Sequence, residues 1–250
     1  EEEVAYMERQ LKEMISFIEG QIGRRLDWDR AREVIEESNK MIEYWSEWLE
    51  LRKLVPCPSG GTYPSGMTLM GHPLGTAIAK AIRDDAKEKA DRGIGYAPEE
   101  KIRASWFYLH IGWDIPFLDY LRDTYGHVSV IEMMSYWAAS TPIDTSSPER
   151  IIRGLAKRYL KNLPMGRQMR GYADTYIDDL LYTAKEWKAD CIILTGAIGC
   201  KGLKACYGMA KKACQKAGIP IVMADADVLD PRVVPKEEYR RKVEDFLTTV

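Results

Sequence analysis

DCIILTGAIGCKGLKACYGMAKKACQKAGIPIVMADADVLD, from Asp190 to Asp230, decides how the chain is read. Cys191, Ile192, Ile193 and Leu194 form a short apolar run between Asp190 and Gly196, the pattern of a strand buried on both faces. Leu203, Tyr207, Ala210 and Cys214 then recur at spacings of three and four, which predicts a helix, and Gly218 with Pro220 supplies its stop. Ile219 to Met223 reads as a second buried strand. A strand-helix-strand unit of this kind has a right-handed crossover and parallel strands. Cys200 falls in the turn between the first strand and the helix. Open parallel sheets place ligands beyond the carboxyl ends of their strands, and the N–H groups of a helix start favour an anion such as a thiolate.

Upstream of this unit, alternating strand and helix patterns begin near Pro98. Ala104 to Leu109 reads as a strand, Ile115 to Tyr125 as a helix stopped at Gly126, and Val128 to Met133 as a second strand. Helices follow from Pro148 to Leu160 and from Tyr172 to Trp187. The expectation is an α/β fold, a flavodoxin-like doubly wound parallel four-stranded sheet with strand order 2-1-3-4 over residues 98–250. Its crevice would lie between strands one and three. The lips would be His110, Gly112 and Trp113, then Tyr136 and Trp137, then Gly196 to Gly202.

Residues 1–97 read as a helical connector region. Val4, Met7, Leu11, Met14, Ile15 and Ile18 make an apolar stripe, and Asp27 can cap a second helix that runs to about Leu54. Trp45, Trp48 and Leu49 read as packing residues of that helix. Pro56 to Gly66, rich in Pro, Ser and Gly, cannot be regular structure and reads either as a substrate-facing segment or as a plain connection. A helix with a charged, solvated end follows over residues 67–92.

With 250 residues, 46% hydrophobic and 30% charged, the chain is globular and long enough to bury a real core. A formal net charge of −2 without a basic stripe argues against nucleic-acid binding. No apolar run reaches the roughly 20 residues of a membrane span, so a cytoplasmic protein is expected. Five cysteines, an odd number, argue against a disulfide framework. The start at Glu1, within a helical pattern, reads as a piece of a longer protein.

Among chemistry-bearing residues, Gly196, Gly199 and Gly202 could cradle a phosphate or only let the backbone turn, and they match neither the P-loop nor the dinucleotide fingerprint. Cys200 is either a thiolate poised at a helix terminus or a small core residue. Cys206 and Cys214 read as buried, and the absence of CxxC disfavours a self-contained cluster site. His72, His110 and His127 show no ligand spacing, with His110 alone at a strand's carboxyl end. No GxSxG elbow supports a serine hydrolase.

The run from Arg103 to Val250 resembles the C-terminal half of the 2-hydroxyacyl-CoA dehydratase and benzoyl-CoA reductase subunits. The matching residues are SPERIIRGLAKRYL (Ser147 to Leu160), DCIILTG, GCK (Gly199 to Lys201), AGIP (Ala217 to Pro220), ADADVLDPR (Ala224 to Arg232) and the closing EEYRRKVEDFL. Residues 1–58, ending LRKLVPCP, resemble the same family's connector. The resemblance implies an iron–sulfur subunit of a 2-hydroxyacyl-CoA dehydratase, a lyase of anaerobic metabolism, passing one electron to an acyl-CoA thioester for radical dehydration. The alternatives are a benzoyl-CoA reductase-like or double-cubane reductase subunit, and a cluster-free scaffolding subunit. Its partners would be a homologous sister subunit, an ATP-dependent iron–sulfur activator and the acyl-CoA. It implies Cys200 as a ligand of a 4Fe–4S cluster or double cubane, with the remaining ligands missing from this chain. Ala197 stands where the family often has a histidine. His110, Trp113, Tyr136 and Trp137 are the expected substrate-binding residues.

Overall fold

The computed structural model describes residues 1–61, 69–107, 110–136, 141–168 and 171–250. In chain order its elements are α1 (Glu2–Ile22), α2 (Trp28–Leu51), α3 (Pro73–Asp91), β1 (Ile102–Phe107), α4 (Pro116–Tyr125), β2 (His127–Glu132) and α5 (Met133–Tyr136). There follow α6 (Pro148–Lys157), a π-helical turn (Arg158–Asn162), α7 (Pro164–Gln168), α8 (Tyr172–Glu186), β3 (Cys191–Ala197), α9 (Lys201–Ala217), β4 (Ile221–Ala226) and α10 (Lys236–Leu247). The backbone divides into two compact units, one of Glu1–Glu47, Pro64–Asp84 and Trp137–Arg170, the other of Trp48–Tyr63, Asp85–Tyr136 and Gly171–Val250.

Among its described residues the first unit is helical. Gly23, at φ 64°, ends α1 in the left-handed conformation that glycine adopts at least cost. Asp27 caps the next helix through Oδ1, which accepts from the N–H groups of Asp29 and Arg30 at 3.0 Å. α1 packs along α6. Because α6 has 10 residues against the 21 of α1, it covers only part of the expected apolar stripe. Val4 is buried, whereas Met14 and Ile18 are exposed.

The second unit holds the sheet, four parallel strands in the order β2-β1-β3-β4, as the alternating pattern predicts. Alternation along β3 sends Cys191 and Ile193 to one face and Ile192 and Leu194 to the other. On the first face they meet Phe117 and Leu121 of α4 and Tyr239, Val243 and Leu247 of α10. On the second they meet Tyr176, Leu180 and Ala184 of α8 and Leu203, Cys206, Ala210 and Cys214 of α9. Each face is therefore sealed by two helices, which is why the strands read as continuous apolar runs. Strand boundaries differ from the expected ones: β2 is His127–Glu132 rather than Val128–Met133, with Met133 opening α5, and the last strand starts at Ile221 rather than Ile219. β1 begins at Ile102, paired with His127 of β2, and β4 extends through Ala224, Asp225 and Ala226, each paired with β3. Tyr108 and Leu109 of the expected first strand lie outside the described residues.

Candidate functional site

At the carboxyl end of β3 the chain turns into α9 with Cys200 as the residue that caps the helix start. The Cys200 N–H donates to the Ala197 carbonyl at 2.9 Å, and its own carbonyl accepts from Lys204 N at 3.3 Å. Its side chain is partly exposed, while Cys57, Cys191, Cys206 and Cys214 are buried. Burial pushes the Cys191 thiol up to about 12 and the Cys214 thiol up to about 11, so both stay protonated at neutral pH. Beside the turn, Lys204 Nζ donates to Asp225 Oδ1 of β4 at 2.9 Å. Gly196 makes that pair possible, since a Cβ there would stand 2.3 Å from Asp225 Oδ1. A Cβ at Gly199 would meet nothing within 4 Å.

At the carboxyl ends of β1 and β2 lies a buried polar cluster. His110 Nε2 is 3.9 Å from Glu132 Oε1, with the two side chains 4% and 2% exposed. Arg52, 0% exposed, lies 3.8 Å from the same carboxylate oxygen. Its Nη2 donates to the carbonyls of Ser129 and Gly61, and its guanidinium lies 4.2 Å from the centre of the Trp48 ring. Arg52 Nε and Nη1, both nitrogens of His110 and His127 Nε2 have no hydrogen-bond partner among the described residues. Burial, with His127 and Arg52 adding repulsion, pulls the His110 pKa down to about 3. Burial alone pulls His127 down to about 4. Both imidazoles are therefore neutral at physiological pH.

The loop after β1 is fixed to the loop after β4. Gly112 N–H donates to the Val228 carbonyl at 3.1 Å, and the Trp113 indole N–H donates to the Asp227 carbonyl at 2.9 Å. Trp113 also packs edge-on to Tyr239, with ring centres 6.5 Å apart. One residue on, the buried Asp114 accepts both fork nitrogens of Arg240 at 2.7 Å and lies 3.0 Å from Lys236 Nζ. The three described residues expected at the substrate have different neighbours. His110 belongs to the buried cluster, Trp113 to the β1–β4 bridge, and Tyr136 packs at 6.0 Å on both Tyr182 and Trp187 at the α8 side. Trp137 lies outside the described residues.

Sequence reasoning missed Arg52 and Glu132. Arg52 continues the Trp45, Trp48, Leu49 stripe by one more turn, and Glu132 is the buried last residue of β2. A charge at an interior position of a buried stripe was the available signal. Cys200 is the one partly exposed thiol of the chain, and among the described residues no group of three or more His, Cys, Asp or Glu side chains is placed to hold a metal ion. These residues do not by themselves fit a four-iron cluster, which needs several thiolates. No helix of the described residues is long and apolar enough to cross a membrane.

Comparison with known proteins gives a consistent result. The chain is 23% identical over 251 aligned residues to the lactoyl-CoA dehydratase subunit alpha of Anaerotignum propionicum. That alignment takes in 96% of this chain and 57% of the relative, so the chain spans little more than half of that protein's length. The family model for the 2-hydroxyglutaryl-CoA dehydratase D-component matches residues 1–250. Together with the parallel β2-β1-β3-β4 sheet and the β3–α9 turn, that full-length match shows that the chain belongs to the 2-hydroxyglutaryl-CoA dehydratase D-component family.

Proposed function

We propose that this chain forms part of a subunit of a 2-hydroxyacyl-CoA dehydratase-type enzyme, a cytoplasmic lyase that removes water from a 2-hydroxyacyl-CoA to leave a 2-enoyl-CoA. The observation that carries the reading is the position of Cys200, at the start of α9 beyond the carboxyl end of β3 and partly exposed, in a chain matched along its whole length by the family model. In this reading Cys200 contributes one thiolate to an iron–sulfur cluster whose other ligands come from outside these residues. The sister subunit and the ATP-dependent activator are the remaining partners.

The chain's own share is positional. The β1 loop, tied down by Gly112, Trp113 and Asp114, gives a rigid lip to the carboxyl edge of the sheet. His110 holds an uncharged imidazole, its nitrogens without a hydrogen-bond partner among the described residues, just beneath that edge, and Glu132 fixes the local field beside it. Trp113, on that lip, supplies aromatic surface for the acyl group. The test is anaerobic turnover by the chain assembled with its sister subunit and activator. Formation of a 2-enoyl-CoA from a short-chain 2-hydroxyacyl-CoA is the expected result, and its absence across a series of acyl groups contradicts the reading.

A further inference from the structure

On α6 the residues Arg150, Arg153 and Lys157 recur at spacings of three and four and so share one helical face with Gly154, and Arg158 follows at the start of the π-helical turn. That face forms a wall of a cavity of about 220 Å³ within the first unit. The opposite wall is the segment through Ile143 and Asp144. Gly154 lets this wall come close, since a Cβ there would stand 2.5 Å from Ile143 Cγ2. Asn39 then locks it. Its Nδ2 donates to the Ile143 carbonyl at 2.8 Å and its Oδ1 accepts from the Ile143 N–H at 2.9 Å.

The charges in this cavity do not balance. Arg153 is matched by Glu1 and Glu8, and Arg150 faces Asp144 at 3.9 Å. Lys157 makes no ion pair within 4 Å among the described residues, and its charge adds to that of Arg153 in lowering the Glu1 carboxyl. Arg158 is buried, 7% exposed, and among the described residues its Nη groups donate only to the neutral oxygens of Ser38 at 3.2 Å and Asn39 at 3.0 Å. Its Nε has no partner among the described residues. Burial pulls its pKa down to about 10, the mark of a cation removed from water without a counter-charge. A guanidinium held this way is retained where an anion arrives to complete it.

We propose that the cavity lined by Ile143, Asp144, Arg150, Arg153, Lys157 and Arg158 binds phosphate groups, those of the nucleotide end of a coenzyme A ester. The coenzyme A identity rests on the acyl-CoA reading above; the phosphate chemistry rests on the cavity. Arginine forks and a lysine suit phosphate oxygens, and a site of this size admits one or two phosphate groups and excludes the acyl chain.

The test is calorimetric titration of the chain with coenzyme A, adenosine 3′,5′-bisphosphate, pyrophosphate and pantetheine, before and after Lys157→Glu and Arg150→Glu. Both side chains are exposed, so these variants keep the fold; circular dichroism checks it. The expected result is binding of coenzyme A and the bisphosphate but not of pantetheine, weakened about tenfold or more by each charge reversal and by added salt. Coenzyme A binding that is unchanged in both variants overturns the cavity assignment while the acyl-CoA reading stands. Pyrophosphate binding that needs Lys157, without coenzyme A binding, upholds the phosphate cavity and removes its coenzyme A identity. Binding of no phosphate ligand overturns the proposal.

Discussion

His110 Nε2 stands 3.9 Å from Glu132 Oε1, at the carboxyl ends of adjacent strands, with both side chains all but sealed from solvent. A neutral imidazole thus shares a buried carboxylate with the guanidinium of Arg52, 3.8 Å away. Three groups that are normally solvated are held where each alone would be costly, and their arrangement fixes what happens when pH or a partner changes.

Acid should unfold this protein through its histidines. His110 and His127 have folded pKa values pulled down to about 3 and about 4, below the unfolded value near 6.5. Below pH 6.5 the unfolded chain binds protons that the folded chain refuses, so stability rises with pH there and is lost as pH falls toward 4. Urea denaturation at pH 7.5 and pH 5 should show a loss of a few kcal/mol, and His127→Phe should flatten the profile.

Removing both partners of the buried pair should cost less than the two single removals added together. Arg52→Met removes the buried cation near Glu132 together with its hydrogen bonds to the Ser129 and Gly61 carbonyls, a loss of about 3–5 kcal/mol. Arg52→Met with Glu132→Gln takes both charges away and should cost clearly less than the sum of the single losses. A double-mutant cycle in urea measures the difference.

Two glycines of one turn should behave oppositely. Gly196→Ala drives a Cβ to within 2.3 Å of Asp225 Oδ1 and 2.9 Å of Met223 Cγ, so the Lys204–Asp225 pair must move, at a cost of about 1–3 kcal/mol. Gly199→Ala meets nothing within 4 Å and should leave the thermal midpoint unchanged within about a degree or two.

Asp114→Asn should loosen the β1 loop. Burial alone would raise the Asp114 pKa, but the hydrogen bonds from Arg240 and Lys236 overcome it and hold the carboxyl below its ordinary range. Its stabilising effect is therefore present above pH 4 and is lost as pH falls through the folded value. The variant should lose about 2–3 kcal/mol at neutral pH and show faster amide exchange at Gly112, whose N–H bridges to Val228.

The sheet was legible because β3 and the strands beside it are apolar on both faces, a pattern that only a parallel sheet covered by helices satisfies. The place of Cys200 was legible because it falls between the apolar run Cys191 to Leu194 and the helical recurrence that starts at Leu203. Arg52 and Glu132 were not, because the contacts that join them, Arg52 to Ser129 and Arg52 to Glu132, span 77 and 80 residues and local patterning carries no term for such pairs. The exposure of Met14 and Ile18 was hidden for a related reason, since a helical stripe does not tell how long its neighbour is.

The central claim is that Cys200 is a cluster ligand, and iron and acid-labile sulfide content tests it most directly. The chain is purified anaerobically with its sister subunit, as wild type, as Cys200→Ala and, for control, as Cys214→Ala, a buried helix position. The account predicts roughly four irons for each intact cluster. It predicts their loss in Cys200→Ala with an unchanged circular dichroism spectrum, and retention in Cys214→Ala. Iron content that is the same in Cys200→Ala as in wild type would contradict it.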